Sequence, residues 1–237
     1  MKNLKIAVIV ADVDEYKPLA ERIEKGNFEK YSFLGRTGHK FSVTAQNGKA
    51  TVYSLLCGIG MVNAAAAAAH FKTLGCDIIL NYGLSGGIDS VIRGELILGT
   101  DFVEHDFDLS GIGYKLCEKP NQEYVYRADD RLNALMERLV PNIKKGTAVS
   151  GDSFICDQKV RDRLKESFGA MSCDMETAAI AYVCNFGNIP FLALRRISDD
   201  AGDSATDSYR EMNEKSESVL SDIILDFISL IINSYEA

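Results

Sequence analysis

The sequence of 237 residues lacks features that would place it in several large protein classes. No cluster of Lys or Arg forms a basic stripe, and the formal charge is −8, which argues against the basic surface that nucleic acids require. The apolar run that follows its first few residues is only about five residues long, too short for a signal peptide or a membrane span. We therefore predict a cytoplasmic protein that binds neither nucleic acid nor a membrane.

The sequence also lacks paired cysteines, linkers and low-complexity segments. None of its six cysteines forms a C-x-x-C pair, and several lie in apolar runs where a free thiol packs as a small hydrophobic group. Disulfides and a zinc site are therefore not expected. Because no shift in composition divides the chain, residues 1–237 are predicted to form a single domain.

Strand-like and helix-like patterns alternate along the chain. Strands are predicted at 5–10, 31–34, 40–45, 50–56, 77–81, 95–103 and 191–197, and helices at 14–23, 61–74, 129–139 and 160–168. A final helix presents a broad apolar face formed by Val219, Leu220, Ile223, Ile224, Phe227, Ile228, Ile231 and Ile232. This order predicts an α/β protein, a three-layer α/β/α sandwich with a mixed central sheet, whose site lies beyond the carboxyl ends of strands.

Two glycine-rich segments are candidates for ligand contact. Gly83–Gly87 follows a predicted strand, and Gly58–Asn63 precedes the Ala-rich helix. Glycines let a ligand approach the backbone, but neither segment carries a phosphate-binding or dinucleotide fingerprint. A binding loop and an ordinary turn remain equally compatible with each segment.

Two carboxylates stand at the ends of apolar strand-like runs. Glu176 lies at a strand-to-helix junction, where it could accept hydrogen bonds from a vicinal diol or could be an exposed residue of a first helical turn. Asp199 follows the strand that contains Arg195, and burial there would let it act as a general acid toward a ring nitrogen. The alternative is that Ser198, Asp199 and Asp200 only cap the next segment.

Several motifs in register indicate a family. The segments Ser150-Gly151-Asp152-Ser153-Phe154-Ile155, Asp174-Met175-Glu176-Thr177-Ala178-Ala179 and Arg195-x-Ile197-Ser198-Asp199 occur in this order, with Gly58-Ile59-Gly60, Asn81-x-Gly83, Gly86-Gly87 and His105-Asp106. Together they resemble the purine nucleoside phosphorylase and nucleosidase family, most strongly its 5′-methylthioadenosine/S-adenosylhomocysteine nucleosidases. The resemblance spans nearly the whole chain and implies a nucleoside phosphorylase-like fold.

The resemblance implies roles for individual residues. Asp199, supported by Ser198, would protonate purine N7, and Glu15 would activate the attacking water. Glu176 would bind the ribose hydroxyls. The further substrate-binding residues would be Met175 on the sugar, Phe154 and Ile155 at the base, and Asp12, Ile59, Ser85, Gly86 and Tyr209, with Arg195 in support. No metal or organic cofactor is implied, and the expected role is cytoplasmic nucleoside metabolism, including methionine salvage.

The N-terminal segment favours water over phosphate as the nucleophile. Related phosphorylases hold phosphate with arginines, one of them after the first strand, whereas this chain has the acidic sequence Ala11-Asp12-Val13-Asp14-Glu15. Desolvated carboxylates would repel phosphate. We therefore expect hydrolysis of the N-glycosidic bond of a purine nucleoside, with a phosphorylase or a non-catalytic nucleoside-binding protein as the alternatives.

Four positions depart from the pattern of the family. Asp12 stands where an apolar residue is usual beside the 5′ alkylthio group, so a nucleoside with a polar 5′ group is an alternative substrate. Leu84 replaces a serine, while Arg196 and Asp200 replace small and apolar residues. Arg196 and Asp200 could pair with each other or could change recognition of the base.

The family resemblance also implies a homodimer. In similar proteins a loop of the neighbouring subunit completes the 5′ pocket, and here this loop corresponds to 109–114, with the apolar Leu109 and Ile112. The nearby His105, Asp106 and Asp108 could be taken for metal ligands, but in similar proteins this stretch lies near the subunit contact.

Overall fold

Ten strands and seven α-helices make up the residues that this computed structural model describes, 2–214 and 218–234. The strands are β1 (Lys2–Val10), β2 (Phe28–Phe33), β3 (Arg36–Ala45), β4 (Gly48–Leu56), β5 (Ile78–Gly87), β6 (Leu96–Glu104), β7 (Val125–Arg127), β8 (Lys144–Ser150), β9 (Ala170–Asp174) and β10 (Phe191–Asp199). The helices are α1 (Val13–Ile23), α2 (Met61–Thr73), α3 (Asp130–Leu139), α4 (Gln158–Phe168), α5 (Thr177–Gly187), α6 (Ala205–Glu214) and α7 (Val219–Ser234). None of the described helices is both long and apolar enough to cross a membrane.

The strands form one mixed sheet. Strands β4, β1, β5 and β10 are parallel neighbours, and β2 and β3 extend the β4 edge as antiparallel strands. Beyond β10 the order continues through β6, β8 and β9, and β9 pairs back onto the end of β5. The mixed sheet confirms the predicted fold class. The closed ring of five strands formed by β5, β10, β6, β8 and β9 was not predicted.

Apolar residues on both faces of the sheet create the three layers. In β1, Ile6 and Val8 face one core and Ala7 and Ile9 face the other. Because both faces of the strand are buried, its sequence is apolar without alternation. Helix α7 buries Leu220, Ile224, Phe227, Ile228, Ile231 and Ile232 in the first core, which confirms most of the predicted apolar face. The prediction is wrong for Val219, which is exposed at the start of the helix, and Ile223 is only partly buried. Small residues let α2 and α5 pack together on the second core.

The segment Gly83–Gly87 was predicted to be a loop, and that prediction is wrong because it forms the second half of β5. Gly86 pairs with Cys173 of β9 and with Asp199 of β10, so two strands converge on it. A Cβ atom at Gly86 would lie 3.0 Å from Cys173 Sγ and 3.2 Å from Asp199 Oδ1. The glycines therefore permit the convergence that closes the ring of strands.

Candidate active site

A cavity of about 240 Å³ opens where β1, β5, β9 and β10 end. Its lining consists of Ala11, Asp12, Glu15, Ile59, Leu84, Ser85, Gly86, Phe154, Cys173, Asp174, Met175, Glu176, Ser198, Asp199 and Tyr209. All of the predicted catalytic and substrate-binding residues lie here except Ile155, which lines an adjoining pocket together with Phe154 and Asp199. The sequence-predicted site residues are thus brought together from distant parts of the chain.

Glu15 enters the cavity from the first turn of α1. Its Oε1 accepts a hydrogen bond of 2.7 Å from the backbone N–H of Leu84. Its Oε2 lies so close to Gly83 that a Cβ atom there would be 2.7 Å away. Desolvation raises the pKa of Glu15 to about 8, although the Leu84 N–H and the charge of Arg195 oppose the shift. When ionised, Glu15 is therefore a stronger base than an ordinary glutamate, and the Leu84 N–H holds its carboxylate in place.

Asp199 is the last residue of β10 and is almost completely buried. Its Oδ2 accepts a hydrogen bond of 2.7 Å from Ser198 Oγ, and its Oδ1 accepts one of 2.8 Å from the N–H of Ala201. Burial raises the pKa of Asp199, and these two donors oppose the rise. Helix α6 begins only at Ala205, so Asp199 caps the turn that follows β10 rather than a helix N-terminus, and its carboxyl group also lines the cavity.

Glu176 occupies the N-cap position of α5, but its side chain does not cap the helix. Oε1 accepts from the N–H of Gly60 at 2.9 Å, and Oε2 accepts from that of Met175 at 3.3 Å. The carboxylate is buried at 9% exposure, so the alternative of an exposed residue in a first helical turn is wrong. Desolvation, aided by the charge of Asp174, raises the pKa of Glu176.

Beneath Glu176 lies a buried ion pair whose acid was not predicted. Asp174 accepts from Arg195 Nε at 3.0 Å, from Ser150 Oγ at 2.6 Å, and from the backbone N–H groups of Glu176 and Thr177. Burial alone would raise the pKa of Asp174, but Arg195 and these donors hold it below its ordinary value. The network fixes the backbone from which Glu176 enters the cavity. The only local sign of Asp174 in the sequence is that an acidic residue directly precedes Met175-Glu176.

Two aromatic side chains stand at the cavity mouth. Phe154, on the loop after β8, is 43% exposed and meets Tyr209 of α6 edge to face, with ring centroids 5.4 Å apart. Asp152 of the same loop accepts from the N–H of Met61 at 2.7 Å, which ties this loop to the segment containing Ile59. An exposed aromatic face beside a largely apolar cavity that contains a few carboxylates suits a flat ring ligand.

The four unusual positions have different surroundings. Asp12 caps α1, because its Oδ1 accepts from the N–H of Asp14 at 2.8 Å, and it also accepts from Asn213 Nδ2 at 3.2 Å. Arg196 lies outside the main cavity, since its Nε donates to Gly94 O at 3.3 Å and its side chain lines a smaller cavity. Asp200 accepts from the N–H of Gly202. Arg196 therefore does not line the main cavity, and its effect on recognition of the base stays a prediction.

The predicted contact loop lies apart from the cavity. Ile112 belongs to a short 3-10 helix and is 72% exposed, and neither it nor Leu109 lines the cavity of its own chain. His105 is buried, and Asp106 accepts from the N–H of Asp152 at 2.8 Å. Among the described residues no group of three or more His, Cys, Asp or Glu side chains is placed to hold a metal ion.

Known proteins similar to this chain match it over nearly its whole length. The model of the phosphorylase superfamily matches residues 5–229. A 5′-methylthioadenosine/S-adenosylhomocysteine nucleosidase of Staphylococcus carnosus is 36% identical over 230 residues, which cover 94% of this chain and 98% of the relative. An aminodeoxyfutalosine nucleosidase of Campylobacter jejuni is 28% identical over 228 residues, covering 94% and 97%. A crystal structure of a mutant Helicobacter pylori nucleosidase with 5′-methylthioadenosine in its active site superposes with a TM-score of 0.88 at 26% identity, covering 96% of this chain and 99% of that one.

Proposed function

The chain belongs to the phosphorylase superfamily and is a purine nucleosidase, and we propose that it hydrolyses nucleosides of the 5′-methylthioadenosine and S-adenosylhomocysteine type, releasing adenine or a related base. One observation carries the proposal: Glu15, Glu176 and Asp199 line one cavity of about 240 Å³ although they lie far apart in sequence. That volume approaches the size of pockets that hold small ligands. The cytoplasmic location and the role in methionine salvage stay predictions.

In the proposed mechanism Asp199 is the general acid. Cleavage of an N-glycosidic bond leaves an oxocarbenium-like sugar and an electron-rich base, so protonation of the base makes it a neutral leaving group. Burial raises the pKa of Asp199, which favours the protonated form that can give its proton to N7. The hydroxyl of Ser198 holds the carboxyl in place at 2.7 Å.

Glu15 is the proposed general base for the attacking water. The N–H of Leu84 holds Oε1, which leaves Oε2 to accept a proton from a water molecule facing the sugar. The raised pKa makes the ionised carboxylate a stronger base than an ordinary glutamate. Asp199 and Glu15 would then act on the leaving group and on the nucleophile of the same bond.

Glu176 and Met175 are proposed to hold the ribose. Each oxygen of Glu176 accepts one backbone N–H, and a carboxylate offers about four acceptor positions, so each oxygen retains room for one sugar hydroxyl. Phe154 would stack on the base and the backbone of Ile155 would bind its edge. Arg195 supports this arrangement through Asp174, to which it donates at 3.0 Å.

The decisive assay measures base release by the purified protein with and without phosphate. Release of adenine from 5′-methylthioadenosine without phosphate would support the proposal. Strict phosphate dependence would instead establish a phosphorylase, and no release from any purine nucleoside would leave a nucleoside-binding protein. Turnover of adenosine, inosine, 5′-methylthioadenosine and S-adenosylhomocysteine would give the substrate preference.

Asp12 favours a second candidate substrate, a purine nucleoside with a polar 5′ group. Its carboxylate lines the cavity, and a negative charge there disfavours a thioether. Asp12→Ser removes the charge but keeps a capping oxygen for α1, so it separates the two roles. If the charge sets preference, this variant raises kcat/KM for 5′-methylthioadenosine relative to adenosine. An unchanged ratio would show that Asp12 only caps the helix.

We also propose a homodimer in which Leu109 and Ile112 of the neighbouring chain complete the 5′ pocket. The high exposure of Ile112 in one chain supports this assembly, because a large apolar side chain in an otherwise polar loop suits a covered surface.

A further inference from the structure

A second, smaller cavity lies directly behind Glu15. Its volume is about 20 Å³, and its lining consists of Asp14, Glu15, Tyr82, Leu84, Arg196, Met212, Asn213 and Leu220. Glu15 and Leu84 also line the main cavity, so these two residues form the wall between the two spaces. The carboxyl group that faces the proposed substrate therefore also borders a space on its other side.

The smaller cavity has the size and polarity to hold one water molecule. A site for a single water needs a cavity volume of roughly 10–15 Å³ and two to four polar partners. Asn213 Oδ1 is buried and accepts no hydrogen bond from the described residues, while its Nδ2 donates to Asp12. The hydroxyl of Tyr82 donates to the backbone oxygen of Glu15 at 3.3 Å. Asn213 thus supplies a buried acceptor that a water molecule would satisfy.

We propose that this cavity binds a water molecule that takes the proton from Glu15 after each turnover and passes it to solvent on the side away from the sugar. The inference rests on the proposed hydrolytic function. During cleavage, the oxygen of water bonds to the sugar carbon while Glu15 accepts one proton, and Asp199 gives one proton to the base. The next cycle requires that Glu15 lose its proton and that Asp199 regain one from solvent, so the protons balance.

The surroundings of Glu15 favour loss of its proton through the smaller cavity rather than through the main cavity. In front, products occupy the main cavity beneath Phe154 and Tyr209 until they leave. Behind, Asp14 and Arg196 line the smaller cavity and are only partly buried, so these two side chains reach from the cavity toward solvent. The raised pKa of Glu15 means that its proton does not leave readily at neutral pH, so a bound water beside it would speed the loss. The charges of Asp12, Glu176 and Arg195 face Glu15 from the other elements.

Met212 allows the cavity to be filled without changing a polar group. It lines the smaller cavity only, and Met212→Phe would place a larger apolar side chain there, whereas Met212→Leu conserves volume and is the matched control. Single-turnover cleavage with enzyme in excess, above pH 8, starts with Glu15 ionised and needs no proton exit. We expect Met212→Phe to retain this rate within about twofold while steady-state kcat falls about fivefold or more, as when a step after chemistry limits turnover.

Small buffers should restore part of the lost kcat, because they can remove the proton once products have left. Equal losses in single-turnover and steady-state rates, or no loss in either, would overturn the proposal. A crystal structure provides a test independent of folding of the variant. We expect one ordered water within about 3.2 Å of Asn213 Oδ1, and its absence would also overturn the proposal. If the wild-type protein releases no base at all, the hydrolytic function fails, and the proton exit fails with it even where the water is present.

Discussion

Gly83→Ala should remove activity while leaving the fold intact. A Cβ atom at this position would lie 2.7 Å from Glu15 Oε2, whereas ordinary contacts begin near 3.4 Å, so the carboxylate must move by about 0.7 Å. The clash involves only the far end of a flexible side chain, and the backbone of Gly83 does not have a positive φ. The change should therefore cost little stability.

The expected kinetic loss follows from that displacement. Because a misplacement of about 1 Å can cost about 100-fold in rate, we expect kcat to fall roughly 10- to 100-fold. KM should change little, since Glu176 and Phe154 bind the substrate elsewhere. The midpoint of thermal unfolding should fall by less than about 4 °C, the shift that about 1 kcal/mol produces in a domain of this size.

The assay compares base release and thermal unfolding for Gly83→Ala and for Gly26→Ala. Gly26 is exposed, and a Cβ atom there would meet only Ile23 O at an ordinary 3.6 Å, so it is a matched control. Full kcat in Gly83→Ala would refute the claim that Glu15 must be held at its observed position. A parallel loss of activity and several degrees of stability would refute the claim that the effect is local.

Three further predictions concern the other parts of the proposal. Asp199→Asn should lower kcat by orders of magnitude while nucleoside binding stays measurable by calorimetry, and near-wild-type turnover would remove Asp199 from the acid role. Because the pKa of Glu15 is raised from 4.5 to about 8, the folded protein binds this proton more tightly than the unfolded chain, so stability falls as pH rises through that interval. Glu15→Gln should therefore raise the unfolding temperature relative to wild type at pH 9 but not at pH 4, and equal shifts at both would contradict the burial argument. Ile112→Glu should shift sedimentation from dimer to monomer and raise KM, whereas the equally exposed Ile92→Glu should do neither; a wild-type monomer would refute the assembly.

Much of the site could be predicted because its residues lie in short motifs with local signals. Met175-Glu176 and Ser198-Asp199 each stand where a strand ends, and strand ends of an α/β sheet converge on one edge. Burial decided between the alternatives for Glu176, which is buried and accepts a backbone N–H from Gly60 and so is not an exposed helix-start residue. Asp199 is buried as well, and it also caps the next turn through the N–H of Ala201.

The features that escaped prediction depend on contacts between distant segments. Gly83–Gly87 has the composition of a turn, but pairing with β9 and β10 on either side makes it a strand. Arg195 and Arg196 are adjacent in sequence, yet strand alternation turns one toward Asp174 and the other toward the smaller cavity. Neither outcome has a local signal, because each requires the order of the strands in the sheet.

The electrostatics of Glu15 explain why a hydrolase would hold its base where the carboxylate loses much of its solvation. A carboxylate with a pKa near 4.5 is ionised at neutral pH but is a weak base toward water, whereas one near 8 is stronger and mostly protonated. About one unit below its pKa, only about a tenth of such a group is ionised, a loss that the gain in basicity can offset. The value of kcat/KM should consequently rise as pH approaches 8. The same raised pKa slows release of the captured proton, so a desolvated base of this kind needs a separate proton path, and the cavity behind Glu15 is placed to supply one.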